Sequence, residues 1–146
     1  MSVRFQRANF LVSDMRAALR FYVDVLGFEL AFLKPNRDKS YSHTVFGIDP
    51  SSTVGFAALN TPTQPRVMAL TEVRGLGEQT RPRRSTIVLD VQDIDAVVER
   101  AREGGYRVFP EERLLTHDGR VGREIGILDA DGNLTVIYKI FAEGPG

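Results

Sequence analysis

Few residues in this chain could do chemistry, and they are scattered. There are two histidines and no cysteine. His43 follows a polar stretch, and His117 stands beside Asp118 and Gly119 in a turn-like context. A lone loop histidine can be a general acid, a base or a ligand, but neither has a second histidine close by in the sequence. The absence of cysteine removes disulfides, thiol catalysis and cysteine metal sites. Asp129, Asp131 and Asn133 have the spacing that opens a calcium loop, but the glutamate that closes such loops is missing. They read as turn residues. The remaining polar groups lie on β-like runs. In the first run Arg7, Asn9 and Leu11 share one face. In a later run Thr86, Val88 and Asp90 share one face, and Tyr138 lies in the last run. A general base would have to come from Asp90, Tyr138 or Glu124, a thin set for catalysis.

The elements that must position these groups occur twice. Val12-Ser13-Asp14-Met15 opens an apolar helix, and so does Val91-Gln92-Asp93-Ile94. The offset is 79 residues at each matched position: Val12 to Val91, Asp14 to Asp93, Met15 to Ile94, Ala17 to Ala96. Two copies of one supersecondary unit explain such an offset better than a solenoid does.

In the first copy, Phe5 to Val12 reads as a strand, and Ser13 or Asp14 caps the helix after it. Met15, Leu19, Tyr22 and Leu26 fall on one helical face, with Ala18 and Val25 at its margins. Gly27 ends the helix. Phe28 to Leu33 is a strand and Lys34 to Lys39 a loop, while Tyr41 to Phe46 fits either a helical turn or a strand. Asp49 to Ser52 is a turn. Val54 to Leu59 and Arg66 to Val73 are strands. In the second copy, Thr86 to Val91 is a strand and Asp93 to Glu103 a helix burying Ile94, Val97, Val98 and Ala101. The strands Tyr106 to Phe109, Arg113 to Thr116, Arg123 to Leu128 and Leu134 to Ile140 follow, with a hairpin at residues 129–133. The first half therefore reads β-α-β-β-β, and the second reads as the same unit with one further short run among its strands: a first module over about 4–74, a linker over about 75–83, and a second module over about 84–141, together one domain over 1–146.

Nineteen basic residues balance nineteen acidic ones, so no net field draws nucleic acid or an anionic membrane. The one dense basic run, Arg81-Pro82-Arg83-Arg84, reads as a solvated linker or an anion site. No apolar run approaches the roughly 20 residues of a membrane span. The first residues lack the apolar core of a signal peptide, so a cytoplasmic location is expected.

Three stretches resemble the vicinal oxygen chelate superfamily, the glyoxalase, bleomycin-resistance and extradiol dioxygenase group. The first is Leu11-Val12-Ser13-Asp14 with Phe21-Tyr22-Val23-Asp24-Val25-Leu26-Gly27-Phe28. The second is Leu89 to Asp95. The third is Asp129-Ala130-Asp131-Gly132-Asn133, where the family more often has proline at the second position. The resemblance implies an α+β fold in which two tandem βαβββ modules form a curved mixed sheet around a cavity. In metal-dependent members it implies four ligands, His or Glu, one on the first and one on the last strand of each module.

Carried onto this sequence, those positions are Arg7, Ala69, Thr86 and Val136. Arg7 and Thr86 each stand seven residues before a helix-capping aspartate, and the 79-residue offset relates them to each other. A one-residue slip gives Gln6 or Ala8, Met68 or Leu70, Ser85 or Ile87, and Thr135 or Ile137, again without a histidine or carboxylate. Glu72 is three residues from Ala69 and should face the other way. No metal ligand and no cofactor are expected. The expected cavity face comprises Arg7, Asn9, Ala69, Thr86, Val88, Asp90, Val136 and Tyr138, with Leu11, Val67, Thr71 and Leu134 beside them. Such a mixture suits a small organic molecule with a few polar groups. Arg7 either contacts a carboxylate ligand, pairs with Asp90 or reaches solvent. Tyr138 either donates a hydrogen bond or packs. Three functions stay open: a metal-independent small-molecule binder, of the drug-sequestering kind, acting as a homodimer; an enzyme that keeps the fold without the metal; and a metal-dependent lyase or dioxygenase.

Overall fold

The structure is a computed structural model and describes residues 2–78 and 83–142. Residues 79–82 of the expected linker, including Arg81 and Pro82, lie outside the described residues. The chain divides into two compact units, Met1–Gly77 and Glu78–Gly146.

The first unit contains β1 (Ala8–Val12), α1 (Met15–Leu19) continuing into a π-helical turn (Arg20–Val25), β2 (Glu29–Arg37), α2 (Tyr41–Phe46), β3 (Val54–Asn60) and β4 (Met68–Glu72). Its sheet runs β1-β4-β3-β2. β1 pairs parallel with β4, while β4–β3 and β3–β2 are antiparallel. The second unit contains β5 (Ile87–Asp90), α3 (Ile94–Glu103), β6 (Glu112–Leu115), β7 (Val121–Leu128) and β8 (Leu134–Ala142), in the order β5-β8-β7-β6. Here too the first and last strands pair parallel and the others antiparallel. The two units are thus two four-stranded mixed sheets with one connectivity, as the repeat requires.

Both module helices start the same way. The Asp14 carboxylate accepts from the Ala17 N–H at 3.1 Å, and the Asp93 carboxylate from the Ala96 N–H at 3.0 Å. Each satisfies one of the free donors of a first turn. Ser13 is therefore not the cap of α1. Gly27, at φ 94°, ends the first helical segment in the left-handed region, as expected.

The helix face differs from the periodicity estimate. Ala18, Phe21, Tyr22, Val25 and Leu26 are buried, while Met15 and Leu19 are only half-buried. The π-helical turn explains this. The Leu26 N–H reaches back five residues to the Phe21 carbonyl, and the wider turn brings Phe21 and Tyr22 inward together. Their rings meet edge to face at 4.9 Å, and Tyr22 also packs on Phe10 and Phe28, with ring centroids at 6.2 and 6.3 Å.

Two further expectations are corrected. Residues 34–37 are not loop but the end of β2. Pro35 is tolerated there because β2 is an edge strand and its register shifts between Lys34 and Arg37. Tyr106–Phe109 is not a strand. Only a bridge joins Val108 to Ile127, and Pro110 follows at once. The ambiguous segment resolves as helix α2, because Ser40 and His43 form a reciprocal cap at its start. No described helix is long and apolar enough to cross a membrane.

In the second unit Ile94, Val97, Val98 and Ala101 are buried, as expected, with Ile125, Ile127 and Ile137. Arg123 on β7 ties this layer together, donating to Asp95 of α3 at 2.7 Å and to Glu111 at 2.7 Å. The hydrogen bonds from Arg123 hold both carboxyl groups below their ordinary range.

Two outcomes follow from these contacts. At the bulge between Ile140 and Ala142, a side chain at position 122 would have no room: a Cβ there would lie 2.2 Å from the Lys139 carbonyl oxygen. Gly122→Ala should cost about 2 kcal/mol or more, read as a lower denaturation midpoint. Because folding lowers the Asp95 and Glu111 pKa values, their pairing stabilises the fold above the ordinary carboxylate range and is lost as pH falls through it. Melting temperature measured against pH should show Arg123→Gln below the parent above about pH 5, with the gap closing towards about pH 2.

Candidate ligand-binding faces

Each sheet presents one face to its helix and one face away from it, and strand alternation assigns every side chain to one or the other. In the first unit Met68, Leu70 and Glu72 belong to the helix face. Glu72 accepts from the Met15 N–H at 2.6 Å and so caps α1 from β4. The expectation that Glu72 faces away from Ala69 holds.

On the open face of the first unit, register places Asn9 beside Ala69, then Ala58, then Phe32. In the next row Leu11 stands beside Thr71, then Phe56, then Lys34. Ala58, Ala69 and Thr71 are almost fully buried and form a floor of small residues. At one end Leu11 packs against Ile48, Val54 and Val73. Towards β2 the Phe32 and Phe56 rings lie 6.2 Å apart, and the Lys34 ammonium sits 6.0 and 5.2 Å from their centroids.

Asn9 is the polar group of this floor. Its carbonyl oxygen accepts from the Thr71 hydroxyl at 3.2 Å, while its Nδ2 is buried with no hydrogen-bond partner. Turning the amide over exchanges donor for acceptor but still leaves one end unmet. Arg7 precedes β1 and is exposed.

On the open face of the second unit, Val88 stands beside Val136 and Gly126, and Asp90 beside Tyr138, Glu124 and Glu112. Val88 and Asp90 are exposed; Val136, Tyr138 and Glu124 are half-buried. The Phe109 ring overlies Gly126, where a Cβ would come within 3.1 Å of it, and the Arg107 guanidinium lies 4.8 Å from that ring. Thr86 precedes β5, and its hydroxyl bonds the Leu134 carbonyl at 3.0 Å and its neighbour's at 2.9 Å. Its only hydrogen is committed to backbone.

The structure thus brings Asn9 and Ala69 together in one unit, and Val88, Asp90, Val136 and Tyr138 together in the other. Sequence reading missed Phe32, Phe56 and Lys34. Alternation through residues 32 and 34 was the available signal, and Pro35 masked it.

The other candidates take structural roles. His43 receives the Ser40 N–H at Nδ1, 3.2 Å, and contacts the Ser52 carbonyl through Nε2, 2.6 Å, which pins α2 to the turn before β3. The Asp129 carboxylate receives the N–H groups of Asp131 and Asn133 and the Asn133 side-chain amide at 2.8–2.9 Å, closing the hairpin on itself. Arg83 donates to the Gly132 carbonyl at 2.9 Å, so this member of the basic run holds the same hairpin. A divalent ion would need imidazole or carboxylate donors converging on one point. Among the described residues no cluster of three or more such groups exists, and Arg7, Ala69, Thr86 and Val136 do not fit that chemistry.

Residues 4–137 match the family model of the glyoxalase/bleomycin resistance protein/dioxygenase superfamily. No curated protein matches the chain. Among solved structures, a glyoxalase family protein from Bacillus cereus superposes with a TM-score of 0.75 at 19% identity, covering 97% of each chain. The trypanothione-dependent glyoxalase I of Leishmania major gives 0.62 at 17% identity, covering 94% of this chain and 87% of its own. A genomically encoded fosfomycin resistance protein from Listeria monocytogenes gives 0.59 at 17% identity, with 97% and 96% covered. At these identities the likeness speaks for the fold alone. With the family model spanning nearly the whole sequence, the chain belongs to the glyoxalase/bleomycin resistance protein/dioxygenase superfamily.

Proposed function

We propose that this protein binds a small organic molecule on the open face of its first sheet, without a chelated metal. The observation that carries the reading is the unmet amide of Asn9. A buried donor without a partner costs about 1–3 kcal/mol, and a ligand acceptor placed there would recover it. The surroundings set the class of ligand. Ala58, Ala69 and Thr71 form a floor of small residues, Phe32 and Phe56 offer ring faces, and Lys34 offers a cation. A flat aromatic carboxylate meets all three. Arg7, exposed before β1, is available to such a ligand only from the rim.

The reading includes a homodimer acting in the cytoplasm as one domain over both modules. Each sheet ends in two edge strands, β1 and β2 or β5 and β6, and a second copy is a common cover for such edges. A second reading, a metal-independent enzyme, is supported by the row Asp90–Tyr138–Glu124, which puts two carboxyl groups beside a phenol.

Salicylate serves as probe. It should raise the melting temperature of the parent protein. The double variant Asn9→Leu/Thr71→Val removes both partners of the Asn9–Thr71 bond together and so should melt no lower than the parent. It should nonetheless lose the salicylate shift, with affinity down about tenfold or more. A shift that survives in this folded variant would rule out the open face as the site. Glu124→Gln separates binder from enzyme: salicylate binding should persist unchanged, and turnover that disappears in this variant alone would favour the second reading.

A further inference from the structure

The first unit holds two adjoining clefts along its first helical segment, which share only Lys34 and Phe56 with the proposed site. One, of about 500 Å³, is lined by Met15 and Arg16 of α1, Leu33 and Asn36 of β2, and by Glu72 and Arg74, among others. The other, of about 450 Å³, is a trough between the first helical segment and β2, walled by Leu19, Val23 and Leu30. Met15, Arg16 and Leu33 line both, so the clefts are continuous. Their chemistry differs. The trough is mainly aliphatic, with Arg20 and Asp24 also lining it, and Leu30 and Leu33 stand 43% and 53% exposed along it. The first cleft carries charges of both signs.

The committed bonds decide the sign that is available to a ligand. Asp14 caps the Ala17 N–H, and Glu72 takes the Met15 N–H and lies 3.7 Å from the Arg74 guanidinium. Both acids therefore have partners. Arg16 makes no ion pair among the described residues, and the Arg74 side chain is 80% exposed, holding Glu72 only at that long distance. The polar end thus offers two guanidinium groups to an anion, and the apolar end offers a hydrocarbon trough. We infer that this groove is a second binding site, for an amphipathic organic anion whose carboxylate lies between Arg16 and Arg74 and whose aliphatic chain lies along Met15, Leu19, Val23, Leu30 and Leu33. Guanidinium forks favour carboxylate over a point charge, and the chain gains affinity with each methylene buried. Its arginines and aliphatic walls do not include Asn9 or Thr71, so it does not depend on the reading given for those two residues, although Lys34 and Phe56 border both.

Titration of the isotopically labelled full chain with octanoate, butyrate, octylammonium and inorganic phosphate, followed by amide NMR shifts, tests it. Octanoate should move the amides of Met15, Arg16, Leu30, Leu33 and Arg74 together. It should bind about tenfold or more tighter than butyrate, and phosphate should touch the cationic end alone. Arg16→Gln/Arg74→Gln should weaken octanoate about tenfold, and Leu33→Asn, at an exposed position, should erase its advantage over butyrate. Asn9→Leu/Thr71→Val should leave octanoate binding intact, whatever it does to salicylate. The inference is overturned if octylammonium binds better than octanoate, if the arginine variants bind undiminished, or if octanoate moves none of these amides. It is equally overturned if the trough signals follow protein concentration rather than octanoate, since a second copy then covers the groove.

Discussion

The parallel pairing of the first and last strand in each unit is the constraint on which the rest depends. β1 lies on β4, and β5 on β8, residue by residue. Because side chains alternate across a strand, that register decides which chemistry faces the helix and which faces away. Asn9, Ala69 and Thr71 go to one side, Met68, Leu70 and Glu72 to the other. A slip of one residue would put Glu72 on the open face and leave the Met15 N–H of α1 without its carboxylate acceptor. The bond from the Met15 N–H to the Glu72 carboxylate therefore does two things at once: it satisfies a helix donor, and it anchors the register of the sheet against the helix.

The same register decides which groups the two open faces carry. The open faces are built from small and aromatic residues in the first unit, and from valines and a carboxyl–phenol row in the second. Asp14, Asp93, Asp129 and His43 are spent on nearby backbone groups instead. Asp129 closes a hairpin, Asp14 and Asp93 start helices, and His43 fixes α2 to the turn at Ser52. Local backbone satisfaction, not coordination, accounts for each of them.

Much of this was legible in the sequence. The 79-residue offset, the two capping aspartates and the hairpin at 129–133 are local signals, set by short side chains bonding nearby backbone, and these appear where expected. The β1 alternation correctly placed Asn9 away from Phe10, whose ring meets Tyr22. What failed depended on longer range. The π-helical turn moved Phe21 inward, against a 3.6-residue period. Pro35 looked like a loop residue until the edge position of β2 made it harmless. The roles of Phe32, Phe56 and Lys34 emerge only when β2 is laid beside β3, and the unmet amide of Asn9 only when its neighbours are known.

The proposed binding of an organic molecule on the open face of the first sheet requires no chelated ion. Metal binding tests this directly. Chelator-stripped protein titrated separately with nickel, zinc, manganese and ferrous ions, with content measured by mass spectrometry after desalting, should retain far less than one equivalent of any of them. One equivalent retained, with the resonances of Asn9 and Ala69 or of Val88 and Val136 shifted by it, would contradict the account.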